Sequence, residues 1–474
     1  MKTIDQFYID GQWTAPHGKQ VLSILNPATS VPCVAMACAN ETDVNAAAEA
    51  AFRAFPAWSA TPSDQRALLM MAIADEMENR ADDLVQAHVE TMGIPRHQAM
   101  EVQIAGPIDA MRYFASLAAT MGELDDRDGY LISHEPVGVC ALINPWNYPL
   151  LQMIGKVAPA LAAGCTMLAK PAEQTPTSDI IMAEIFDKVG LPAGVFNLIT
   201  GLGAEIGPLM ASHPRVDMVS FTGSNRSGIS VAIEAAPTVK RVCQEMGGKS
   251  ALIITEDADL HTAVRYGVEN VMLNTGQTCD ALTRMLVPSS RYQEAVDQAV
   301  IVANEQVVGD PDDPLTTMGP LASEQQRQRV RDYIKQGIAE GARMVIGGAE
   351  LPASIEGGAY VLPTLFADVR QDMVIAREEI FGPVLCIMAY ETIDEAVDIA
   401  NDSEFGLSSG VFAANDSDAI AIARRMRAGQ CFIQGGFFRL EAPFGGYKQS
   451  GNGREWGEAG LAEYQEIKAI IRPN

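Results

Sequence analysis

The chain has 474 residues, of which 48% are hydrophobic and 20% charged, and because a single hydrophobic core stops growing at roughly 250–300 residues, two or three packed units are expected. This length excludes a small peptide-binding module, and the composition excludes a disordered chain. Lys and Arg number 34 against 60 Asp and Glu, and the net charge of −26 argues against nucleic acid and anionic membranes as partners, since both are negatively charged.

Residues 65–87 predict an amphipathic helix, because apolar residues recur there at three- and four-residue spacing with acidic residues between them. From about residue 137 to 255, short apolar runs alternate with helical segments. We predict strands over 139–143, 165–169, 195–199, 216–221 and 251–254, and helices over 177–189 and 227–236. This alternation is typical of βαβ units and predicts a parallel sheet with helices on both faces.

A second α/β region follows. Helices are predicted over 292–306 and 323–341, and a loop-rich stretch comes after them. Gly-Asp-Pro at 309–311 and the Gly-Pro pairs that begin at 319 and 382 mark turns. No internal repeat is visible, which argues against solenoids and propellers.

Targeting signals and metal sites are not expected. The N-terminus lacks the apolar run of a signal peptide, and the most apolar later stretch, 157–169, is about 13 residues long where a spanning helix needs about 20. The eight cysteines are too sparse for a disulfide-stapled secreted protein, so we expect reduced thiols in the cytoplasm. The six histidines are isolated, and Cys33 and Cys38 have no second pair nearby, so no metal site is predicted.

Three residues in polar settings are candidates for catalysis. Cys279 lies among the small and polar residues 274–280, which suits an accessible thiol, although most cysteines are buried apolar residues. Glu245 precedes two glycines; such a carboxylate is usually a solvated loop acid, but hydrolysis of a thioester would require it as a general base. Asn147 follows the strand 139–143, where α/β proteins bind ligands, either in a rigid Pro-bracketed turn or as an oxyanion donor.

Dinucleotide binding is predicted near other strand ends. The segment from Gly201 to Gly207 reads G-x-G-x-x-x-G, one residue too long for the Rossmann fingerprint, and is weak evidence. Gly223 and Ser224 form a turn between a strand and a helix, where free backbone amides favour a pyrophosphate. Lys170 and Glu173 follow another strand and offer a cation and an acid to an adenosine ribose.

Seven motifs, in order, resemble the aldehyde dehydrogenase superfamily over nearly the whole chain. They are Pro-Trp-Asn-Tyr-Pro at 145–149, Lys-Pro-Ala-Glu-Gln-Thr-Pro at 170–176, Phe-Thr-Gly-Ser at 221–224, Glu-Met-Gly-Gly-Lys at 245–249, Gly-Gln-Thr-Cys at 276–279, Glu-Glu-Ile-Phe-Gly-Pro-Val at 378–384 and Pro-Phe-Gly-Gly-Tyr-Lys-Gln-Ser-Gly at 443–451. The resemblance implies an α/β fold with a Rossmann-like cofactor domain, an α/β catalytic domain and a small β oligomerisation arm. The implied boundaries are 1–116 and 137–247 for the cofactor domain, 248–446 for the catalytic domain, and 117–136 with 447–474 for the arm and the C-terminal segment. A homodimer or homotetramer is expected.

In this resemblance Cys279 is the nucleophile, Glu245 the general base, and Asn147 the oxyanion donor beside the backbone amide of Cys279. The implied reaction oxidises an aldehyde to the carboxylic acid with NAD(P), through a thiohemiacetal and a thioester that water hydrolyses. An acylating enzyme that uses coenzyme A as acceptor is an alternative, although Glu245 favours water. A non-catalytic protein on the same fold is another, although it would be expected to have lost the cysteine or the asparagine.

The resemblance also implies cofactor contacts. Lys170 and Glu173 hold the adenosine ribose, Ser224 the pyrophosphate and Glu379 the nicotinamide ribose, while Phe381 packs near the nicotinamide. An acid at position 173 can bond the ribose 2′-hydroxyl and would repel a 2′-phosphate, so NAD is expected over NADP. The remaining implied contacts are Trp146, Gly223 and Gly247.

Departures from the family pattern bear on the substrate. Many relatives have an asparagine after Gly429, where this chain reads Cys-Phe-Ile-Gln-Gly-Gly-Phe-Phe at 431–438, and several that use small aldehydes have an aromatic residue in place of Gly155. Small residues at these points predict room for a medium or bulky apolar or aromatic aldehyde. The residues expected to line the access tunnel are Leu151, Met153, Gly155, Asp280, Gly436, Phe438 and Phe444.

Overall fold

A computed structural model of the chain describes residues 1–121, 124–351 and 355–473. Its strands are β1 (Lys2–Ile4), β2 (Phe7–Ile9), β3 (Gln12–Thr14), β4 (Val21–Leu25), β5 (Pro32–Ala37), β6 (Asp125–Arg127), β7 (Tyr130–Pro136), β8 (Val139–Ile143), β9 (Thr166–Lys170), β10 (Phe196–Leu198), β11 (Met218–Thr222), β12 (Arg241–Glu245), β13 (Ala251–Ile254), β14 (Arg284–Pro288), β15 (Arg343–Ile346), β16 (Thr364–Ala367), β17 (Val384–Tyr390), β18 (Ser409–Phe412), β19 (Phe432–Ile433), β20 (Gly451–Asn452) and β21 (Gln465–Ile471). Its α-helices are α1 (Glu41–Ser59), α2 (Ser63–Asn79), α3 (Ala81–Met92), α4 (Arg96–Gln98), α5 (Gly106–Ala119), α6 (Pro149–Ala163), α7 (Thr177–Val189), α8 (Gly203–Ser212), α9 (Asn225–Ala235), α10 (Leu260–Met272), α11 (Tyr292–Asn304), α12 (Glu324–Ala339), α13 (Val374–Arg377), α14 (Ile393–Asn401), α15 (Asp416–Ala423) and α16 (Gly457–Glu463). A π-helix over Ala99–Ala105 joins α4 to α5.

The first large sheet has the strand order β20-β12-β11-β8-β9-β10-β2-β3, and its five central strands are parallel. Neighbouring residues of β8 point into different cores: Leu142 packs with the helices α2, α3 and α5–α7, whereas Ala141 packs with α1, α8 and α9. Burial on both faces explains why these strands read as continuous apolar runs. The predicted parallel sheet with helices on both faces is confirmed, except that the strand 251–254 belongs to the second large sheet.

The second large sheet has the order β15-β16-β17-β14-β13-β18-β19. It is parallel except for β15, which runs antiparallel to β16. Along β13, Ile253 faces one core and Leu252 the other, so this sheet is also covered on both faces.

The C-terminal segment returns to both the first sheet and a separate small sheet. Strand β20 pairs antiparallel with β12 so that Gly451 lies opposite Glu245. Strand β21 then pairs antiparallel with β7, from Gln465 opposite Pro136 to Ile471 opposite Tyr130, and β6 completes a three-stranded sheet. The chain that follows β20 therefore continues through α16 into this small sheet.

Two sequence predictions need correction. The helix expected over 65–87 is two helices, α2 and α3, because the backbone of Arg80 leaves the helical region and caps both. The loop-rich stretch expected after residue 341 contains the strands β15 to β19 and the helices α13 to α15. Most other predicted elements agree to within two residues, and 139–143, 177–189 and 251–254 agree at both ends.

All eight cysteines are free thiols. In the part of the chain that the structure describes, no helix has the length and apolar character needed to cross a membrane. Those same residues contain no group of three or more His, Cys, Asp or Glu side chains that could hold a metal ion.

Candidate active site

Cys279 follows a strained turn at the end of α10. Asn274 and Thr275 have φ angles of 52° and 56°, a left-handed conformation that residues other than glycine rarely adopt. Buried hydrogen bonds hold this turn: Asn274 Nδ2 donates to the Gln277 carbonyl at 3.3 Å, and Thr275 Oγ1 donates to the Gly319 carbonyl at 3.0 Å. The position of Cys279 is therefore fixed by the rigid turn immediately before it.

The electrostatic surroundings of Cys279 favour its neutral form. Burial raises the pKa of the thiol well above its ordinary value, and the carboxylates of Asp280, Glu379 and Glu245 raise it further. Burial also raises the pKa of Asp280, to about 6, and this side chain has no ion-pair partner within residues 1–121, 124–351 and 355–473. An accessible thiol was expected, and Cys279 is half-buried. Because its pKa is high, formation of the thiolate requires added positive charge or a base.

Asn147 lies in the turn between β8 and α6, at the carboxyl end of a parallel strand. Its side chain is buried, and Nδ2 donates one hydrogen bond to the Gln277 carbonyl at 2.9 Å. The next residue, Tyr148, shares a 2.7 Å hydrogen bond with Thr278 Oγ1. Both contacts tie this turn to the residues just before Cys279.

Glu245 is the last residue of β12 and is 2% exposed. Neither of its carboxylate oxygens has a hydrogen-bond partner among the described residues. A Cβ atom at Gly445 would lie 2.5 Å from Oε1, so only glycine leaves room for the carboxylate there. Burial raises the pKa of Glu245 well above its ordinary value, the charge of Glu455 raises it further, and Lys156 opposes them.

Glu455 and Lys156, the two charged residues with the largest effects on the pKa of Glu245, form a buried ion pair. Lys156 Nζ lies 2.8 Å from Glu455 Oε1, and both side chains are almost fully buried. Lys156 Nζ also donates to Thr222 Oγ1 at 2.6 Å and to Gln152 Oε1 at 3.2 Å. Sequence reasoning missed Lys156 and Glu455, because each stands alone in an apolar or mixed segment with no local motif.

One cavity of about 260 Å³ joins most of the predicted catalytic and cofactor residues. Those that line it are Trp146, Asn147, Gly223, Ser224, Glu245, Gly247, Cys279, Glu379 and Phe381, and Phe444, which was predicted for the access tunnel, lines it as well. The lining also contains Pro145, Thr222 and Met246, which lie in the quoted motifs but were given no role, and Gln152, Gln326 and Arg329, which lie outside them. Gln326 and Arg329 lie on α12, whose polar residues are indistinguishable in sequence from an ordinary solvated helix face.

Gln326 and Arg329 hold the segment that carries Glu379 and Phe381. Gln326 Nε2 donates to the Phe381 carbonyl at 2.7 Å, and Arg329 donates to the Glu379 carbonyl at 2.8 Å. Phe381, with φ of 63°, packs edge to face on Trp146 with 5.3 Å between ring centroids.

The Glu379 carboxylate is itself fixed by the glycines of the Glu-Met-Gly-Gly-Lys motif. The backbone N–H of Gly248 donates to Glu379 Oε1 at 3.0 Å, and a Cβ at Gly247 would collide with the same carboxylate. Burial raises the pKa of Glu379 to about 7. A carboxylate on the cavity wall suits the hydroxyl groups of a ribose.

Lys170 and Glu173 lie outside that cavity and form a second polar pair. Lys170 Nζ donates to Glu173 Oε2 at 3.3 Å, and a Cβ at Gly203 would lie 3.8 Å from each of these two atoms. The weak glycine pattern from Gly201 to Gly207 therefore borders the predicted ribose site. Ser224 caps the N-terminus of α9, and its side chain accepts a hydrogen bond from the Ser227 N–H. The Lys170–Glu173 pair therefore suits the adenosine ribose of a dinucleotide, and the N-terminus of α9 suits its pyrophosphate.

The predicted access tunnel is only partly supported. Met153 is fully buried, with its Sδ 3.5 Å from Asn144 Nδ2, so it cannot line a tunnel. A Cβ at Gly155 would lie 2.7 Å from the Trp456 ring. The expectation that Gly155 leaves room for a larger aldehyde is therefore wrong, because the indole of Trp456 already fills that space.

Two of the other predicted tunnel residues, Phe438 and Phe444, belong to an aromatic cluster. Phe438 packs on Phe444 and on Trp456, with ring centroids 6.0 Å and 5.4 Å apart. The Gly436 carbonyl accepts a 2.8 Å hydrogen bond from Tyr266. Leu151 is half-buried against the core of the first sheet.

The aldehyde dehydrogenase family model matches residues 13–470. A 3-succinoylsemialdehyde-pyridine dehydrogenase of Pseudomonas sp is 48% identical over 477 residues, with 99% of each chain covered. Aldehyde dehydrogenase C of Pseudomonas syringae, a cysteine-to-alanine mutant in complex with NAD⁺ and octanal, is 46% identical with a TM-score of 0.98, covering 98% of this chain and 96% of that one. The NAD⁺ complex of Mycobacterium tuberculosis aldehyde dehydrogenase is 40% identical with a TM-score of 0.97, covering 100% and 99%. The chain belongs to the aldehyde dehydrogenase family and is an NAD-dependent aldehyde dehydrogenase.

Proposed function

We propose that this enzyme oxidises aldehydes to carboxylic acids by covalent catalysis at Cys279, with water as the acyl acceptor. The observation that carries the proposal is the shared cavity, in which the Cys279 thiol, the Asn147 amide and the Glu245 carboxylate lie beside the residues suited to the cofactor. Nucleophile, oxyanion donor and base are the three groups that such a reaction needs.

In the first half-reaction, the Cys279 thiol releases its proton to water, and Sγ bonds to the carbonyl carbon of the aldehyde. The carbonyl oxygen becomes an oxyanion, which accepts hydrogen bonds from Asn147 Nδ2 and from the backbone N–H of Cys279. The loss of one such donor typically lowers the rate by about 10²–10³-fold. Bound NAD⁺ supplies the hydride acceptor. After the hydride has left, the acyl group remains on Cys279 as a thioester.

In the second half-reaction, Glu245 takes a proton from a water molecule whose oxygen bonds to the thioester carbon. The C–S bond then breaks and the thiol is restored, so that aldehyde, water and NAD⁺ give carboxylic acid, NADH and a proton. Glu245 must be ionised to act as the base. Because burial raises its pKa, a higher pH is needed to convert Glu245 to the active carboxylate form.

Two variants test this division of labour with octanal and NAD⁺. Cys279→Ala is expected to form no NADH. Glu245→Gln is expected to give a burst of about one NADH per site and then stop, because the thioester forms but is not hydrolysed. Steady NADH formation at the wild-type rate by either variant would contradict the role given to that residue.

Coenzyme A as the acyl acceptor is the alternative. The buried carboxylate of Glu245 beside Cys279 favours water, because a hydrolytic base would waste the thioester that an acylating enzyme must preserve. Turnover of the wild-type enzyme is expected to be independent of added coenzyme A, and a requirement for it would favour the alternative.

For the substrate, we propose a medium-length or bulky apolar or aromatic aldehyde. The rings of Phe438, Phe444 and Trp456 support this class, as do the octanal bound to one relative and the pyridine named in another. A panel from acetaldehyde to octanal and benzaldehyde tests the proposal by kcat/KM. A strong preference for acetaldehyde over every larger aldehyde would refute it.

For the cofactor, we propose a preference for NAD over NADP. Glu173 Oε2 and Lys170 Nζ form one polar pair, and the acid would repel a 2′-phosphate while it bonds a 2′-hydroxyl. Measurement of kcat/KM with both cofactors checks this, and Glu173→Gln is expected to narrow the difference. A higher kcat/KM with NADP in the wild type would overturn the preference.

We propose that the chain is divided into a cofactor domain (1–116 and 137–247), a catalytic domain (248–446), and an arm with the C-terminal segment (117–136 and 447–474). We propose that the arm joins subunits into a homodimer or homotetramer. The two large sheets and the small sheet of β21, β7 and β6 support this division. A nucleophilic thiol needs reducing surroundings, and on that ground we propose a cytoplasmic location.

A further inference from the structure

We propose that Gln103 is a positioning residue that holds Asn147 in the orientation needed to bind the oxyanion. The inference rests on the proposed function of Asn147 as the oxyanion donor. Gln103 lies on the π-helix Ala99–Ala105, outside every motif of the sequence, and does not itself touch the cavity around Cys279.

The geometry of Gln103 is specific. Its side chain is fully buried, and Nε2 donates to the backbone carbonyl of Asn147 at 3.0 Å and to Met92 Sδ at 3.7 Å. Both N–H groups of the amide are therefore used, which fixes its orientation. Single-turn π-helices are rare and occur often at functional sites, and this one carries a buried amide to the turn that contains Asn147.

A second amide reaches the same carbonyl from the other side. Asn274 Nδ2, in the strained turn before Cys279, also donates to the Asn147 carbonyl at 3.0 Å. At the far end of the residue, the Gln277 carbonyl accepts one N–H of the Asn147 side chain. Only the second N–H of that side chain remains for substrate, so its direction depends on the contacts that hold the backbone carbonyl.

Loss of the Gln103 donor would leave the Asn147 carbonyl with Asn274 alone. The turn at 145–149 could then shift relative to Cys279, and a displacement of about 1 Å in a catalytic group costs on the order of 10²-fold in rate. Since Asn147 would still be present, we expect a smaller effect than from removal of its side chain.

The test uses Gln103→Met, which keeps the length of the side chain and removes the donor. Gln98→Met is the matched control, because Gln98 is a nearby glutamine whose Nε2 donates to the Thr317 carbonyl, away from the cavity. The rate constant of the NADH burst with octanal is expected to fall about tenfold or more in Gln103→Met, with the KM for NAD⁺ unchanged, and to stay within about twofold of wild type in Gln98→Met.

A double mutant separates positioning from general damage. If Gln103 acts through Asn147, then Gln103→Met adds no further loss in an Asn147→Ala background. Equal fold losses in both backgrounds, or a burst rate in Gln103→Met equal to that of the control, would overturn the inference. An unchanged burst rate in Asn147→Ala would instead overturn the proposed oxyanion role.

Should Gln103→Met fail to fold, Gln103→Glu serves in its place. A protonated carboxyl at this buried position can still donate one O–H to the Asn147 carbonyl, whereas the ionised form cannot. The burst rate of Gln103→Glu is therefore expected to fall as pH rises, relative to wild type. A constant ratio to wild type at all pH values would count against the positioning role.

Discussion

At the scale of single residues, Asp280 makes the surroundings of the thiol unusually negative. Of the charges that raise the pKa of Cys279, that of Asp280 has the largest effect after burial itself. Its own pKa of about 6 leaves the carboxyl mostly ionised at neutral pH. A negative charge therefore lies beside the nucleophile, where it opposes thiolate formation, and we expect it to disfavour the binding of anionic aldehydes.

Replacement of Asp280 tests this effect directly. Asp280→Asn is expected to lower the pKa of Cys279 and to raise its alkylation rate with iodoacetamide at pH 8 by about three- to tenfold, because only the thiolate reacts. Alkylation of Cys279→Ala gives the background from the other cysteines, and Asp128→Asn, on an exposed turn, is the matched control. An alkylation rate no higher than that of the control would contradict the assignment.

The relation between sequence and site differs among the three catalytic candidates. Asn147 follows β8 and Glu245 ends β12, two parallel strands of one sheet, so both residues lie at the same edge of that sheet. Only the strand before Asn147 was predicted, so strand-end reasoning placed Asn147 but not Glu245. Cys279 comes from the region of the second sheet, and its proximity to them was indicated only by the family resemblance. Gln103 had no signal at all, because a lone glutamine in a helical segment resembles any solvated residue.

At the scale of elements, helix α3 contains a group that couples stability to pH. His88 is fully buried, its Nδ1 lies 2.7 Å from the Leu84 carbonyl, and burial lowers its pKa to about 4. The folded protein therefore keeps His88 neutral where the unfolded chain, with a pKa near 6.5, takes up a proton. The free energy of unfolding should fall as pH drops from about 6.5 toward 4.

His88→Gln should remove this dependence while leaving an amide to bond the Leu84 carbonyl. Between pH 7.5 and pH 5, the wild type is expected to lose about 2 kcal/mol more unfolding free energy than the variant. Urea unfolding at the two pH values measures the difference, and His97→Gln, at an exposed position, should behave as the wild type. Equal losses in wild type and His88→Gln would disprove the effect.

Elements were predictable where their ends carry local signals. The strand 139–143 is an uninterrupted apolar run buried on both faces, and helix 177–189 ends at Gly190, whose φ of 78° suits the left-handed cap. The break at Arg80 has no such signal, since no glycine or proline interrupts the apolar spacing of 65–87. The two helices pack into one core, and the boundary between them at Arg80 is visible only in the folded chain.

At the scale of the whole molecule, the small sheet exposes apolar side chains that a monomeric protein would be expected to bury. In β21, Ile467 and Ile471 are 71% and 75% exposed, and the strand lies at the edge of its sheet. We expect an apolar edge strand of this kind to act as an association surface. Such a surface would support the oligomer that the family resemblance implies.

Charged substitutions on β21 should dissociate that oligomer. The double variant Ile467→Glu with Ile471→Glu is expected to show a lower molecular mass than the wild type in size-exclusion chromatography with light scattering. Leu315→Glu changes an equally exposed leucine outside the small sheet and should leave the mass unchanged. A monomeric wild type would refute the oligomeric arm.

The pairing of Gly155 with Trp456 has a consequence for how substrate range can evolve. The indole occupies the volume that a side chain on α6 would need, so one space is shared by positions far apart in the chain. A bulky residue at 155 should be tolerated only with a small one at 456, and the two should covary among relatives. Engineering for larger aldehydes should therefore begin by replacing Trp456 with a smaller residue, since Gly155 is already the smallest residue possible at its position.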